Sequence, residues 1–280
     1  MTAKIVTDSV ADLPSQVVNE LGITIVPLNV RFGTEVYRDG VDLTAEQFYD
    51  RLVHSQTPPV TSVPSPGSFA EVYDKLAEET DEILAIILSS KLSGTYEVAL
   101  QSIGLMKRKC QVEVIDSQWA TMAQGFIVMK AAKAAQAGAS LDEVIEITQN
   151  NISRVDFLST FDTLEYLKRG GRIGKAQAFL GSILRVNPLI TLRDGVVEPA
   201  GRTRSRAKAI ELMCDFVRSY FHIEEMAVED AACPDEAEAL VERLSSKFPR
   251  ERIYRSKTTP AIGTHTGPGL LLVAILGDKG

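Results

Sequence analysis

DEILAIILSSKLSGTYEVAL, residues 81–100, is the stretch whose reading decides the fold. An unbroken apolar run from Ile83 to Leu88 ends in hydroxyl residues, a glycine follows, and Tyr96, Ala99, Leu100 and Ile103 then recur at helical spacing. Uniform apolarity suits a strand covered on both faces and the later periodicity suits a helix, so the segment reads as buried strand, tight turn, helix. Ser89, Ser90, Ser93 and Thr95 crowd the turn. The first N–H groups of a helix lack intrahelical partners and carry the positive end of its dipole, so such a corner suits an anion. The competing reading of the same residues is that Ser93 or Thr95 only caps the helix.

Working outward, the N-terminal side alternates in the same way, with strands at 3–7 and 23–28, a helix over 14–21, a hairpin around Gly33, a turn at Asp39 and Gly40, and a helix opened by a TAEQ capping box at Thr44. PPVTSVPSP (58–66) holds four prolines in nine residues and reads as a stiff loop, because proline removes donors and pushes its predecessor out of helical angles. Helices over 67–79, 120–136 and 140–154 and a strand over 112–116 complete the alternation. Parallel strands joined by helices imply an open, doubly wound sheet that binds ligands at the carboxyl ends of its strands. Thr7 to Ser9, Ser89 to Thr95, and Asp116 with Ser117 are expected on that edge.

From Val155 the texture changes, and an Asp-Gly turn at Asp194 and Gly195 joins two strands antiparallel. A helix over 207–220, a strand over 225–229, a helix over 234–248 and strands over 253–256 and 270–276 follow. The expected class is therefore α/β in two domains: 1–154 with an open, mostly parallel sheet flanked by helices, and 155–280 with a largely antiparallel sheet.

Composition narrows the function. The 280 residues are 45% apolar and 24% charged, as in a globular chain with a sizeable core, and the net charge of -7 argues against general nucleic-acid binding. Cys110, Cys214 and Cys233 are odd in number and widely spaced, which removes the case for a disulfide framework or a zinc site. The N-terminus is polar and no apolar run approaches a membrane span, so a cytoplasmic protein without an integral membrane segment is expected. Basic residues gather in LKRGGRIGK (Lys168, Arg169, Arg172, Lys175) and GRTRSRAK (Arg202, Arg204, Arg206, Lys208). Two such loops suit either a phosphate clamp or a solvated charged face. His265 lies among glycines and hydroxyls in AIGTHTGPG, read as a loop, either facing a ligand or simply exposed. Asp8 and Asp116, each just past a strand, are a thin case for Mg²⁺. Ser93 with His265 suggests a hydrolase only faintly, since SKLSGTY is not GxSxG and no third partner is identifiable.

Together these residues resemble the DegV family of bacterial fatty-acid-binding proteins, which includes the acyl-binding subunits of fatty acid kinase. The resemblance runs nearly full length through IVTDSVADLP (5–14), LNVRFG (28–33), TSVPSPGSF (61–69), LSSKLSGTY (88–96), VIDSQWATMAQG (114–125), DTLEYLKRGGRIG (162–174), NPLITLRDG (187–195), GRTRSRAKA (201–209) and IGTHTGPG (262–269). MAVED (226–230) departs from it, where many relatives carry a His or small residues. The resemblance implies a long-chain fatty acid as ligand and no other cofactor. Its carboxylate would be held by Thr61 and Ser93, with His265 nearby and amides around Gly94 in support, and its tail would be buried between the domains. It also implies that a separate fatty acid kinase subunit phosphorylates the carboxylate, with Arg169, Arg172 and Arg202 in docking or phosphate transfer. The chain itself has no Walker A loop or kinase signature, so it is not expected to be the enzyme. The alternatives are a stand-alone acyl hydrolase using Ser93 and a kinase-like protein for small molecules.

Overall fold

A computed structural model describes residues 2–180 and 187–279. In chain order the elements are β1 (Lys4–Asp8), α1 (Ser15–Leu21), β2 (Thr24–Val26), β3 (Asn29–Phe32), β4 (Glu35–Arg38), α2 (Ala45–His54), β5 (Val60–Ser62), α3 (Pro66–Leu76), β6 (Glu82–Ile87), α4 (Thr95–Ile103), β7 (Gln111–Asp116), α5 (Thr121–Gln136) and α6 (Leu141–Ile152). The second half adds β8 (Val155–Thr160), α7 (Glu165–Arg169), β9 (Asn187–Arg193), β10 (Val196–Thr203), α8 (Arg206–Arg218), β11 (Tyr220–Asp230), α9 (Pro234–Leu244), β12 (Ile253–Lys257), α10 (Pro260–Thr266) and β13 (Leu271–Lys279).

The apolar run at 83–88 is explained by its place. β6 stands inside a four-stranded parallel sheet of order β2-β1-β6-β7, paired with β1 on one side and β7 on the other. Helices cover it, and Ile83 to Ile87 are wholly buried. Each such side chain stabilises the fold by roughly 1.5–3 kcal/mol relative to exposure. Local signals set the flanking helices: Thr44 and Gln47 form the capping box of α2, and Ser140 and Glu143 form another at α6.

The other large sheet has order β10-β9-β8-β13-β11-β12 and is antiparallel except where β11 meets β12. Its Asp194–Gly195 turn has positive φ at both residues, as a two-residue hairpin requires. β13 shows the period of two plainly. Leu271, Val273 and Ile275 join a core under α8 and α9, whereas Leu272, Ala274 and Leu276 join the core shared with the N-terminal half. That shared core is centred on α5, which is apolar on nearly every face because it packs against strands of both sheets. The α/β class with one parallel and one largely antiparallel sheet is therefore as expected.

Two segments differ from the sequence reading. PPVTSVPSP is not only a loop: its middle forms β5, which pairs antiparallel with β3 and matches Thr61 to Val30. The strand is three residues long and lies at the edge of a small sheet of order β4-β3-β5, where flanking prolines disrupt no ladder on the open side. PAIGTHT is not a loop but the short helix α10.

Candidate ligand-binding site

The β6–α4 corner is tied down by two carboxylates, buried Asp8 and half-buried Asp116. Asp8 accepts the Leu88 N–H at 2.8 Å, the Val10 N–H at 3.1 Å and the Gln124 amide at 3.3 Å. Burial nevertheless pushes its pKa up to about 7. Asp116 Oδ1 accepts the N–H groups of Ser90 and Gln118 at 3.2 and 2.8 Å. Each is the last residue of its strand and anchors the turn that follows.

In the corner itself, α4 begins at Thr95 with Gly94 as its N-cap. Ser93 Oγ lies 2.9 Å from Thr95 Oγ1 and accepts the Thr95 N–H at 3.3 Å, so it meets the first helical amide, while the N-cap position itself has no side-chain cap. Ser93 also faces a cavity. Gly94 is exposed and stands outside the cavity wall, and among the described residues its N–H meets no acceptor.

The second contributor is α10. Its first turn is held by Asp39, which accepts the Ala261 N–H on Oδ1 at 3.0 Å and the Ser9 hydroxyl on Oδ2 at 2.6 Å. Burial raises the Asp39 pKa to about 6. This places His265 against β5, with Nε2 2.8 Å from Thr61 Oγ1. Gly170 closes over the other side of the ring: a methyl group built there would lie 2.1 Å from His265 Nδ1. Nδ1 is buried and meets no partner among the described residues. Burial, and then the Arg172 charge, push the His265 pKa down from 6.5 to about 4. At neutral pH the ring is uncharged, and when its Nε2–H donates to Thr61 the threonine hydroxyl proton is free to point at a ligand.

Arg172 completes the group. Its Nε donates to Leu92 O at 3.0 Å and its Nη1 to Gly170 O at 2.6 Å, which bolts the basic loop to the residue before Ser93. It lines the same cavity as Thr61, Ser93 and His265. The resemblance sets Arg172 with the docking arginines; here its guanidinium is part of the cavity wall. Arg169 is exposed, its guanidinium 4.7 Å from the centre of the Tyr166 ring, and it borders a second hollow that shares Thr61, Arg172 and His265 with the first. Arg202, on β10, is exposed and is not among the residues lining either space. The basic patch sorts by pairing. Lys168, Lys175, Arg206 and Lys208 meet Glu165, Glu198, Glu236 and Glu211, whereas among the described residues Arg169, Arg172, Arg202 and Arg204 form no ion pair.

The cavity lies between the halves of the molecule. Val10, Leu28 and Leu88 contribute from one side, and Phe157, Ile190 and Leu272 from the other. It is narrow, with about 110 Å³ wide enough for the centre of a water molecule. The Ser159 and Thr266 hydroxyls in its wall are spent on the carbonyls of Ile190 and Ile262. The Thr121 hydroxyl, also in the wall, meets no partner among the described residues, and the other polar groups turned to a ligand are those gathered around the Thr61–His265 pair. Sequence reasoning missed the supports, Asp39 and Gly170. The first was visible only as half of an Asp-Gly turn and the second only as a glycine in a basic loop.

Ser93 and His265 share no hydrogen bond among the described residues. Ser93 Oγ bonds to Thr95 and His265 Nε2 to Thr61, so each is occupied elsewhere.

Comparison with known proteins agrees with the fold. The DegV family, described as uncharacterised proteins, matches residues 2–278. A fatty-acid-binding DegV family protein from Thermus thermophilus shares 34% identity, with 99% of this chain and 100% of that one covered at a TM-score of 0.92. DegV from Bacillus subtilis, a fatty acid binding protein, shares 32% identity over 99% and 100% of the two chains at 0.89. A stearic-acid-binding protein from Eubacterium ventriosum shares 26% over 98% of each at 0.87. No described helix is long and apolar enough to cross a membrane. From its first strand to its last, this chain belongs to the DegV family.

Proposed function

We propose that the protein binds a long-chain fatty acid between its two halves and presents the carboxylate to a partner kinase, which forms the acyl phosphate. The observation that carries the reading is the make-up of one cavity wall, where apolar side chains from both sheets converge on Thr61, Ser93, Arg172 and His265. The tail supplies affinity, at about 0.8 kcal/mol for each buried CH₂. The head group fixes orientation: hydroxyls of Thr61 and Ser93 donate to the carboxylate, neutral His265 holds Thr61, and Arg172 supplies the countercharge. Arg169 and Arg202, exposed and without ion-pair partners among the described residues, serve the arriving kinase or the phosphoryl group. The catalytic machinery belongs to that partner.

The hydrolase reading has no such support, because Ser93 and His265 do not meet. Denaturing mass spectrometry of freshly purified protein tests the proposal first, and co-purified fatty acid is the expected result. Arg172→Ala is then expected to weaken fatty-acid binding by about 1.5–3 kcal/mol, as loss of a charge-assisted contact does, whereas Arg202→Ala leaves binding intact and lowers acyl-phosphate formation with a cognate kinase. Turnover of an acyl ester by the protein alone, abolished in Ser93→Ala, would overturn it.

A further inference from the structure

Two carboxyl groups meet in the interior away from the Thr61–His265 pair. Asp12 follows the short helical turn after β1, and Glu229 is near the end of β11, so the contact joins the N-terminal half to the six-stranded sheet. Asp12 is 3% exposed and Glu229 0%. One oxygen of each is taken by a backbone donor, Thr259 N–H on Asp12 Oδ1 at 3.0 Å and Met122 N–H on Glu229 Oε1 at 2.8 Å. Ser256, the β12 residue in register with Glu229, donates its hydroxyl to the Asp12 carbonyl and so brings the two residues together, and the remaining carboxyl oxygens, Asp12 Oδ2 and Glu229 Oε2, are buried with no hydrogen-bond partner among the described residues.

Among the described residues no cation forms an ion pair with either carboxyl, although the Arg255 charge reaches Glu229. From β12, Arg255 pairs with Asp230 Oδ1 at 2.9 Å, and Lys257 pairs with Glu46. From α2, the Tyr49 hydroxyl bonds Thr258 Oγ1 at 2.5 Å. Asp39 is tied to Ser9 and Ala261. From α5 and the start of α10 come only the hydroxyls of Thr121 and Thr259. Two adjacent carboxyls in a dry interior cannot both ionise without a countercharge.

We propose that Asp12 and Glu229 share one proton across the seam between the two sheets, so that folding takes up a proton at neutral pH. The proton sits on Asp12 Oδ2 and is donated to Glu229 Oε2. Glu229 is the anion because it lies at the N-terminus of the sixteen-residue α5, whose dipole and Met122 N–H favour negative charge. Glu229 also adjoins Thr121, a residue of the cavity wall, so the clasp sets one boundary of the ligand space. Burial holds both carboxyls toward the protonated form, and the Glu229 charge holds Asp12 there further. The sign follows: stability is fully present below the unfolded carboxyl pKa and is lost as pH rises through the raised folded value, by about tenfold in the folding constant per pH unit for one proton.

Amides test this. In Asp12→Asn the amide N–H replaces the shared proton, and asparagine tolerates the positive φ of that position. In Glu229→Gln the amide carbonyl still accepts from Met122 and the NH₂ donates to ionised Asp12. Each single variant of the full chain should fold, lose the infrared band of the shared protonated carboxyl, and lose the extra tenfold-per-unit pH slope between about pH 5.5 and the folded value. Subtracting variant from wild type removes Asp8 and Asp39, which titrate in both. Combined, the two substitutions set NH₂ against NH₂ with no acceptor, so the double variant should lose at least about tenfold more in folding constant than the two singles together. Singles that fail to fold, an additive double variant, or a band and slope unchanged in Glu229→Gln would each overturn the proposal.

Discussion

The β6–α4 corner and the helix α10 bring polar groups to the same cavity by opposite means. At the corner, Ser93 is positioned by its own neighbours: Thr95 two residues on, Ser89 through its backbone carbonyl, and the end of a central strand. α10 is seven residues long with a glycine at its middle, too short to persist alone. It is helical because Asp39 and Asp12 cap its start, Gly263 lies against Phe48 and Tyr49, and Gly170 backs His265. One half of the site is local and the other is borrowed from distant residues. Damage to remote supports should therefore silence His265 while sparing Ser93.

The largest expected effect comes from breaking a support. A methyl group at Gly263 would lie 2.6 Å from the Phe48 ring and from the Tyr49 hydroxyl, both buried. Gly263→Ala is predicted to displace α10, lower stability by about 1–3 kcal/mol and weaken fatty-acid binding at least about tenfold. Melting curves and ligand titrations on the same preparation check this; unchanged affinity would mean that α10 does not hold the head group. Ser93→Ala sharpens the comparison from the other side. It should cost about 1–3 kcal/mol of binding and, because the Thr95 N–H merely turns to water, only a few tenths of a kcal/mol in the melting of the ligand-free protein. A large loss of stability there would show that the corner too depends on distant packing.

The smallest effect is a difference in pH response. The folded pKa of His265 is lowered from 6.5 to about 4, so the stability that depends on its neutral form is present above about pH 6.5 and is lost as pH falls through about 4. His265→Gln should flatten that part of the acid limb, whereas Ser93→Ala should leave it as in wild type. Acid denaturation followed at fixed ionic strength distinguishes the two, and equal limbs in all three proteins would contradict the burial of a neutral imidazole.

What the chain determined by itself is everything that rests on short-range periodicity. The all-apolar Ile83–Leu88 requires a strand covered on both faces, the capping residues at Thr44 and Ser140 start their helices, and the Asp194–Gly195 pair requires a hairpin. The hydroxyl-rich corner was legible as a polar site for the same reason, since a helix start exposes its amides wherever it lies. Only the tertiary structure decided that PPVTSVPSP yields an edge strand, because pairing with β3 outweighs what its prolines lose. Tertiary contacts likewise made PAIGTHT a helix and turned Arg172 inward, where Leu92 and Gly170 offer carbonyls no sequence pattern announces. Buried carboxylates such as Asp39 and Asp12 look like ordinary turn residues in the sequence, because their partners lie more than two hundred positions away and meet them only when the two sheets close on α5.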